Sequence, residues 1–470
     1  MMRPNLNRSL AVVGWLGLLA LSPSLLTAAP PKAASSSPRR ILTRVFFQDD
    51  DARALKWADV LAGEPPQLGT VSSISGFPTL DVKRQSLVQM KAAAGMLLVG
   101  VRDDDDGAFQ SGWILIDSGV AQEEHGDHSH WTYPRVPAVR AMQLDNQQGN
   151  PAHLYCYDEV FYLANDKLDG FTRLDPAAIL PADNEAAVRR RAALHRGGGG
   201  HITLAAADGK VAYSTWIDRE GPNKGRVDVT LLQPSGNSQF AYSFHLPHGG
   251  IHGAISCQGK VFFAPADGLC WVTANADPKL DPKSVAVQHL SLGKDGEKPR
   301  RTGSFHSLGR FVGFSSGAGP TAAACFLDAG RSTVEIVTVP LGMAEGSRPV
   351  GPVMVKPRKG PGLAFVFHDH PDDVEGPHKL SLLEINSGAD GSLGNVKVVA
   401  VTDVGRSRPE GHSGHHDLAI DGDRRRAVFT NPGDGTLTLF SLVERKSQAD
   451  FKVGGMPSKI VCFGGAGKAD

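Results

Sequence analysis

Neither sign of charge prevails in this sequence. Lys+Arg and Asp+Glu are both 49, a formal net charge of zero. A nucleic-acid partner normally leaves a basic footprint, so that class is set aside. Cysteine is scarce: only Cys156, Cys257, Cys270, Cys325 and Cys462. Their number is odd and their spacing irregular, which fits neither a disulfide framework nor a Cys-x-x-Cys metal site. They read as small buried strand residues. Beyond the N-terminus no apolar run is long enough to cross a bilayer. Gly-x-Ser-x-Gly, His-Glu-x-x-His and Cys-x-x-Cys-His are all missing, and with them the local signatures of a hydrolase elbow, a zinc protease and an attached haem. Alternating βα units are missing too, which argues against doubly wound and TIM-barrel folds.

The N-terminus reads as a targeting segment. Arg3 and Arg8 form a basic start, Leu10–Leu21 is an apolar core, and Thr27-Ala28-Ala29 offers small residues for cleavage. This predicts a signal peptide over 1–29, followed by a flexible Pro/Ala/Ser leader over 30–40. The apolar core is short for a span and Pro23 interrupts it, so no membrane anchor is expected. No cysteine stands near the cleavage region to carry a lipid. Export to the periplasm or beyond follows.

What the chain has in quantity is glycine (54), proline (31) and a hydrophobic content of 41%. That balance suits a turn-rich all-β globule. A short apolar or aromatic run recurs about every 50 residues, with two longer steps that contain insertions. The runs begin at Val45, Leu97, Val160, Val211, Val261, Phe311, Leu363 and Ala427. Each is followed by a polar or glycine turn and a second strand, as in Asn431-Pro-Gly-Asp-Gly435 before Thr436-Leu-Thr-Leu-Phe440. Units of this size with three or four short strands are propeller blades. The expectation is a single β-propeller over 41–470, with eight blades and seven as the alternative. Ser458–Phe463 looks like a first strand with nothing after it, and Val45–Phe47 like a second strand with nothing before it. Together they would close the ring in one blade and leave no open edge. The one helix expected is an insertion near 183–196, running Asn184–His195 and capped by Asp183.

Histidine is the residue through which function shows. The chain has 17. Glu123-Glu-His-Gly-Asp-His-Ser-His130 packs imidazoles between carboxylates, ligands that suit Zn²⁺. His125, Asp127, His128 and His130 are its candidate ligands. A second set is dispersed: His153, His201, His252, His306 and His416 each stand at or just before the first strand of a unit. Innermost strands line a propeller's channel, so residues about 50 apart in sequence become neighbours there. The competing account of each histidine alone is a strand cap or a carbonyl partner. Asp103–Asp106 lacks the alternation and glycine of a Ca²⁺ loop and reads as a solvated hairpin tip.

Two resemblances follow from these segments. Val428-Phe-Thr-Asn-Pro-Gly-Asp-Gly-Thr-Leu-Thr-Leu-Phe440 with Val453-Gly-Gly-Met-Pro-Ser458 resembles the YVTN-type propeller repeat. Ile116-Asp-Ser-Gly-Val120 followed by Glu124-His-Gly-Asp-His-Ser-His130, together with Asn150-Pro-Ala-His153, Ile251-His-Gly-Ala254 and His415-His-Asp417, resembles the AztD-type periplasmic zinc metallochaperones. That resemblance implies a non-enzymatic zinc carrier that delivers its ion to the solute-binding protein of a zinc ABC importer. One departure is Ala254, where the family pattern leads us to expect Glu after the His-Gly step. The alternatives are a propeller enzyme, lactonase- or oxidoreductase-like, and a protein-interaction scaffold.

Overall fold

The computed structural model describes residues 39–126, 129–233, 238–370, 376–411 and 413–466. The expected signal peptide and nearly all of the leader lie outside these residues, as do Asp127, His128 and His412.

The chain from Arg39 onward is one eight-bladed β-propeller. Seven blades are four-stranded antiparallel sheets in simple sequence order, and the remaining blade is five-stranded. Counting from the N-terminus, the second strands of the blades are Ile41–Asp49, Met96–Asp103, Val160–Asn165, Val211–Thr215, Lys260–Phe263, Phe311–Ser316, Gly362–Asp369 and Arg426–Asn431. These contain the eight recurring apolar runs. They read as runs, not as alternation, because both their faces are covered: every residue of Val160–Asn165 and of Gly362–Asp369 is buried. Each blade is sandwiched between two others, so side chains of both faces enter inter-blade layers. Phe46, Leu97, Ile114 and Phe463 fill the layer between blades 1 and 2, and Phe365, Phe367, Phe429 and Phe440 that between blades 7 and 8. Each such phenylalanine contributes roughly 1.5–3 kcal/mol of burial.

The ring closes as expected. Pro457–Phe463 is the innermost strand of blade 1 and pairs antiparallel with Ile41–Asp49, Val45 opposite Cys462 and Phe47 opposite Ile460. Asp49 reinforces the junction by accepting from Met456 N–H at 3.0 Å. The helical insertion is shorter than expected. Helix Glu185–Arg191 is capped by Asn184, whose side chain accepts from Ala187 N–H, not by Asp183. Ala193–Arg196 is instead the outer strand of blade 3, paired with Gly170–Leu174. The residues expected in the last helical turn thus extend the blade, and a separate short helix, Pro176–Ile179, precedes.

Within each blade the first strand starts, the second ends and the third starts at the same end of the ring. That end carries the dispersed histidines. Among the described residues no helix is long and apolar enough to cross a membrane.

Candidate metal centre

Three successive blades each bring one histidine to the channel. His153 lies in Pro151–Tyr157, the first strand of blade 3; His201 precedes Leu204–Ala207 of blade 4; His252 precedes Ala254–Cys257 of blade 5. Their ligand atoms lie within 4.8 Å of one another. Ring centroids are 4.6 Å apart for His153 and His201, 5.1 Å for His201 and His252, and 5.8 Å for His153 and His252.

The local sequence explains the delivery of these rings. Gly197 to Gly200 turn the chain into the channel, with φ +140° at Gly197 and +79° at Gly198. At Gly199 a Cβ would stand 2.3 Å from the Trp216 ring, so only glycine passes there. His201 is then clamped by Asp166, a buried residue at the end of the second strand of blade 3. Asp166 Oδ2 accepts from His201 Nδ1 at 2.9 Å, and Oδ1 accepts from Ile202 N–H at 3.0 Å. Arg102 Nη1 lies 3.9 Å from the same carboxylate. Because a carboxylate only accepts, the His201 proton is fixed on Nδ1. Its Nε2 is then the nitrogen turned toward the channel, the arrangement that orients histidine in metal sites.

That nitrogen faces His153 Nε2, 2.9 Å away. Adjacent nitrogens around a tetrahedral zinc stand about 3.3 Å apart, given bonds of about 2.0–2.1 Å. A small rotation admits an ion in place of the shared proton. Gln89 backs His153, its Nε2 3.4 Å from Nδ1 while its Oε1 accepts from Leu154 N–H. The site opens on a cavity of about 420 Å³ whose wall includes Tyr155, His306, Asp417 and Lys459. Ala254, where a carboxylate would be expected from the resemblance, is a buried alanine and offers no ligand.

His306 shares this cavity but not the cluster. Its Nδ1 accepts from Met354 N–H at 3.2 Å, which uses its lone pair. Burial, with Lys91 adding to it, pushes its pKa down to about 4.

His416 belongs to a different group, at the same end of the ring but between blades 7 and 8, with Asp369 and His378. Blade 8 is four blades away from blade 4, so equivalent positions there do not meet. The His416 ring stacks on Phe367 at 4.7 Å and 5°. Its Nδ1 meets Asp369 Oδ1 and its Nε2 meets Gly405 O at 2.9 Å. Both partners are acceptors, so both ring nitrogens of His416 are engaged within the protein. Asp369 also accepts from His415 Nδ1 at 2.9 Å. Burial resists ionisation of Asp369, but hydrogen bonds from His415 and His416 outweigh it and hold the carboxyl well below the usual range. His378 Nδ1 accepts from Ser407 N–H at 3.2 Å, which places its proton on Nε2. With both of its nitrogens held, His416 does not present a lone pair to an ion, although the composition matches a metal site.

The acidic-histidine segment forms a third place. Ala121–Glu124 and Ser129–Thr132 pair as a hairpin arm with Glu123 opposite His130. His125 and His130 rings stand 4.7 Å apart, and His125 Nε2 lies 3.3 Å from Glu123 Oε1. The arm is inserted between the third and fourth strands of blade 2. Its base is tied to turns at the far end of the ring, Trp131 Nε1 donating to Asp423 at 3.2 Å and Tyr133 Oη to Gly465 O at 2.7 Å. The arm and the channel histidines therefore occupy opposite ends of the propeller.

No family model matches the chain, and no curated protein matches it. Solved structures do. The structure of apo AztD from Citrobacter koseri superposes with a TM-score of 0.60 at 16% identity, covering 91% of this chain and 100% of that one. The fold is that of AztD. A second crystal structure of Citrobacter koseri AztD gives 0.61 at 16% identity, over 92% and 100% of the two chains. At this identity the likeness speaks for the AztD fold and leaves the site to be judged on its own atoms.

Asp166 and Gln89, the residues that orient the triad, were not singled out in the sequence. Asp166 sits in Asn165-Asp-Lys-Leu168, which reads as an ordinary turn. Its one signal is position: it directly follows the second strand of the blade before the histidine it holds.

Proposed function

We propose that this protein is an exported, non-enzymatic zinc carrier, and that His153, His201 and His252 are the ligands that hold its ion. The observation that carries this reading is His201, whose Nδ1 is committed to Asp166 while Nε2 faces His153 Nε2 at 2.9 Å. Three imidazoles, an oriented tautomer and an open cavity suit an ion that must be held and later surrendered. The AztD fold and the signal-like N-terminus support a periplasmic setting, with zinc handed to the solute-binding protein of an ABC importer. The acidic-histidine segment with its His125, Asp127, His128 and His130 serves encounter and exchange, while His306 and His416 support the channel wall and the blade 7–8 junction. Zinc enters this reading as cargo.

The test is titration with Zn²⁺ in a metal buffer, before and after replacing His153, His201 and His252 with Ala. Tight saturable binding in the parent and its loss in the triple variant are expected. Binding no tighter than millimolar in the parent would defeat the reading. A three-ligand zinc open to a cavity is also what a hydrolase uses; zinc-dependent lactone hydrolysis that disappears in the triple variant would favour that reading instead.

A further inference from the structure

A second trio stands on the same end of the ring, outside the channel. Asp267 lies in the turn between the second and third strands of blade 5, His289 in its outer strand Gln288–Leu290, and His248 in the connection entering the blade. Asp267 Oδ2 is 3.1 Å from His248 Nε2 and 3.1 Å from His289 Nε2. Its other oxygen, Oδ1, is buried and has no hydrogen-bond partner. A carboxylate oxygen stripped of water without a donor is destabilising, and a cation is one of the few groups that offsets it. Gly268 makes the approach possible: its φ is +147°, and a Cβ there would lie 2.5 Å from Leu290 O and 3.3 Å from His289 Nε2.

We propose that His248, Asp267 and His289 form a labile site for a borderline divalent transition metal. Imidazole and carboxylate in this ratio select Zn²⁺, Co²⁺, Ni²⁺ or Cu²⁺ over Ca²⁺ and Mg²⁺. Two edges of the ligand triangle are already close to the ~3.3 Å that bonds of about 2.0–2.2 Å require. The third edge is open, with the two ring centroids 6.5 Å apart against 4.6 Å for His153 and His201. His248 is half-exposed, at 53% of its side chain, and turns to close it. A ligand nitrogen must be unprotonated to bind, so any proton on either Nε2 leaves when the ion enters. An open edge and an exposed ligand make the site weaker and faster to exchange than the channel triad. It also shares a segment with that triad: only Gly249, Gly250 and Ile251 separate His248 from His252. This places a surface landing point at the mouth of the channel.

The experiment uses the full mature chain with His125, His128, His130, His153 and His201 replaced by Ala, so that arm and triad are silent. Co²⁺ is added and its visible absorption and stoichiometry are read. About one equivalent of weakly bound Co²⁺ is expected, lost on adding Asp267→Asn and weakened at least tenfold by His289→Gln or His248→Gln. Melting curves of the metal-free variants report folding; if Asp267→Asn does not fold, the two Gln variants decide. Unchanged Co²⁺ binding in both Gln variants overturns the site. A background that still binds tightly and is indifferent to these three residues refutes the triad's role and this site together, whereas loss of tight binding with no residual equivalent refutes this site alone.

Discussion

The channel triad and the Asp369 group are built from the same two residue types at the same end of the same ring, yet they are different chemical objects. In the triad a carboxylate stands behind one histidine and turns its other nitrogen to face its neighbour. In the Asp369 group the carboxylate and carbonyls face the histidine nitrogens directly and consume them. A count of ligands does not separate the two; the direction of each proton does. In one group an imidazole nitrogen is turned toward a neighbouring histidine, and in the other the nitrogens are turned to a carboxylate and a carbonyl.

Four measurements bear on that contrast. The largest effect is expected from His416→Ala, which takes one of its two histidine partners from the buried Asp369. We expect a loss of about 3–5 kcal/mol in stability by thermal or chemical melting, with zinc affinity nearly unchanged. A variant that melts normally and binds zinc poorly would move the metal to the Asp369 group. Next, His201→Ala removes a ligand. Zinc affinity by competition with a chelator should fall by more than the ~100-fold upper end for orienting partners, with little change in the metal-free melt.

Asp166→Asn tests the orienting role by itself. It should weaken zinc binding by about 10–100-fold, because an amide can present N–H to His201 and release its fixed tautomer. An affinity equal to the parent's would show that the tautomer needs no carboxylate.

The smallest effect is the pH response of the metal-free protein. Burial lowers His195 and His368 to about 4, so both fold as neutral rings. Their contribution is complete above the unfolded value near 6.5 and is lost as pH falls toward 4. Asp421, raised by burial to about 6, works the other way, gaining stability as pH falls through 6. From pH 7 to 6 these two histidines, together with His306, which burial also lowers to about 4, outweigh the one carboxyl, and a net loss of about 1.5–2 kcal/mol is expected. Asp369 stays ionised throughout that window, since hydrogen bonds from His415 and His416 outweigh burial and hold its carboxyl well below the usual range. Zinc, by contrast, should leave imidazole ligands as pH drops below about 6. Zinc release at that pH from a protein that still melts cooperatively would separate the two groups in one titration.

The ring and its closure could be read from the sequence because burial on both faces writes itself as short apolar runs. Val160–Asn165 and Ala427–Phe429 announce their blades without any alignment. The grouping of His153, His201 and His252 was half legible: their shared place in the repeat foretold convergence, but not that convergence reaches only adjacent blades. His306 spends its lone pair on Met354, and His416 turns away onto Phe367, both consequences of packing between blades that no spacing encodes. Asp166 was illegible for a related reason, since it acts across a blade boundary 35 residues from His201. The arm was recognised by composition, yet its place at the far end depends on which turn of blade 2 carries it.

Closure through blade 1 has a consequence for how the ring comes apart. Thr43 donates to Phe463 O at 3.1 Å across a sequence separation of 420 residues. Such a contact is entropically remote in the unfolded chain, whereas neighbouring blades meet through short loops. An open row of blades could fray from its ends one unit at a time. A clasped ring has no ends to fray, so the clasp links distant blades into one cooperative unit. The geometry of the three channel histidines is thereby tied to a strand of another blade, and loosening the clasp would loosen that geometry with the rest of the ring.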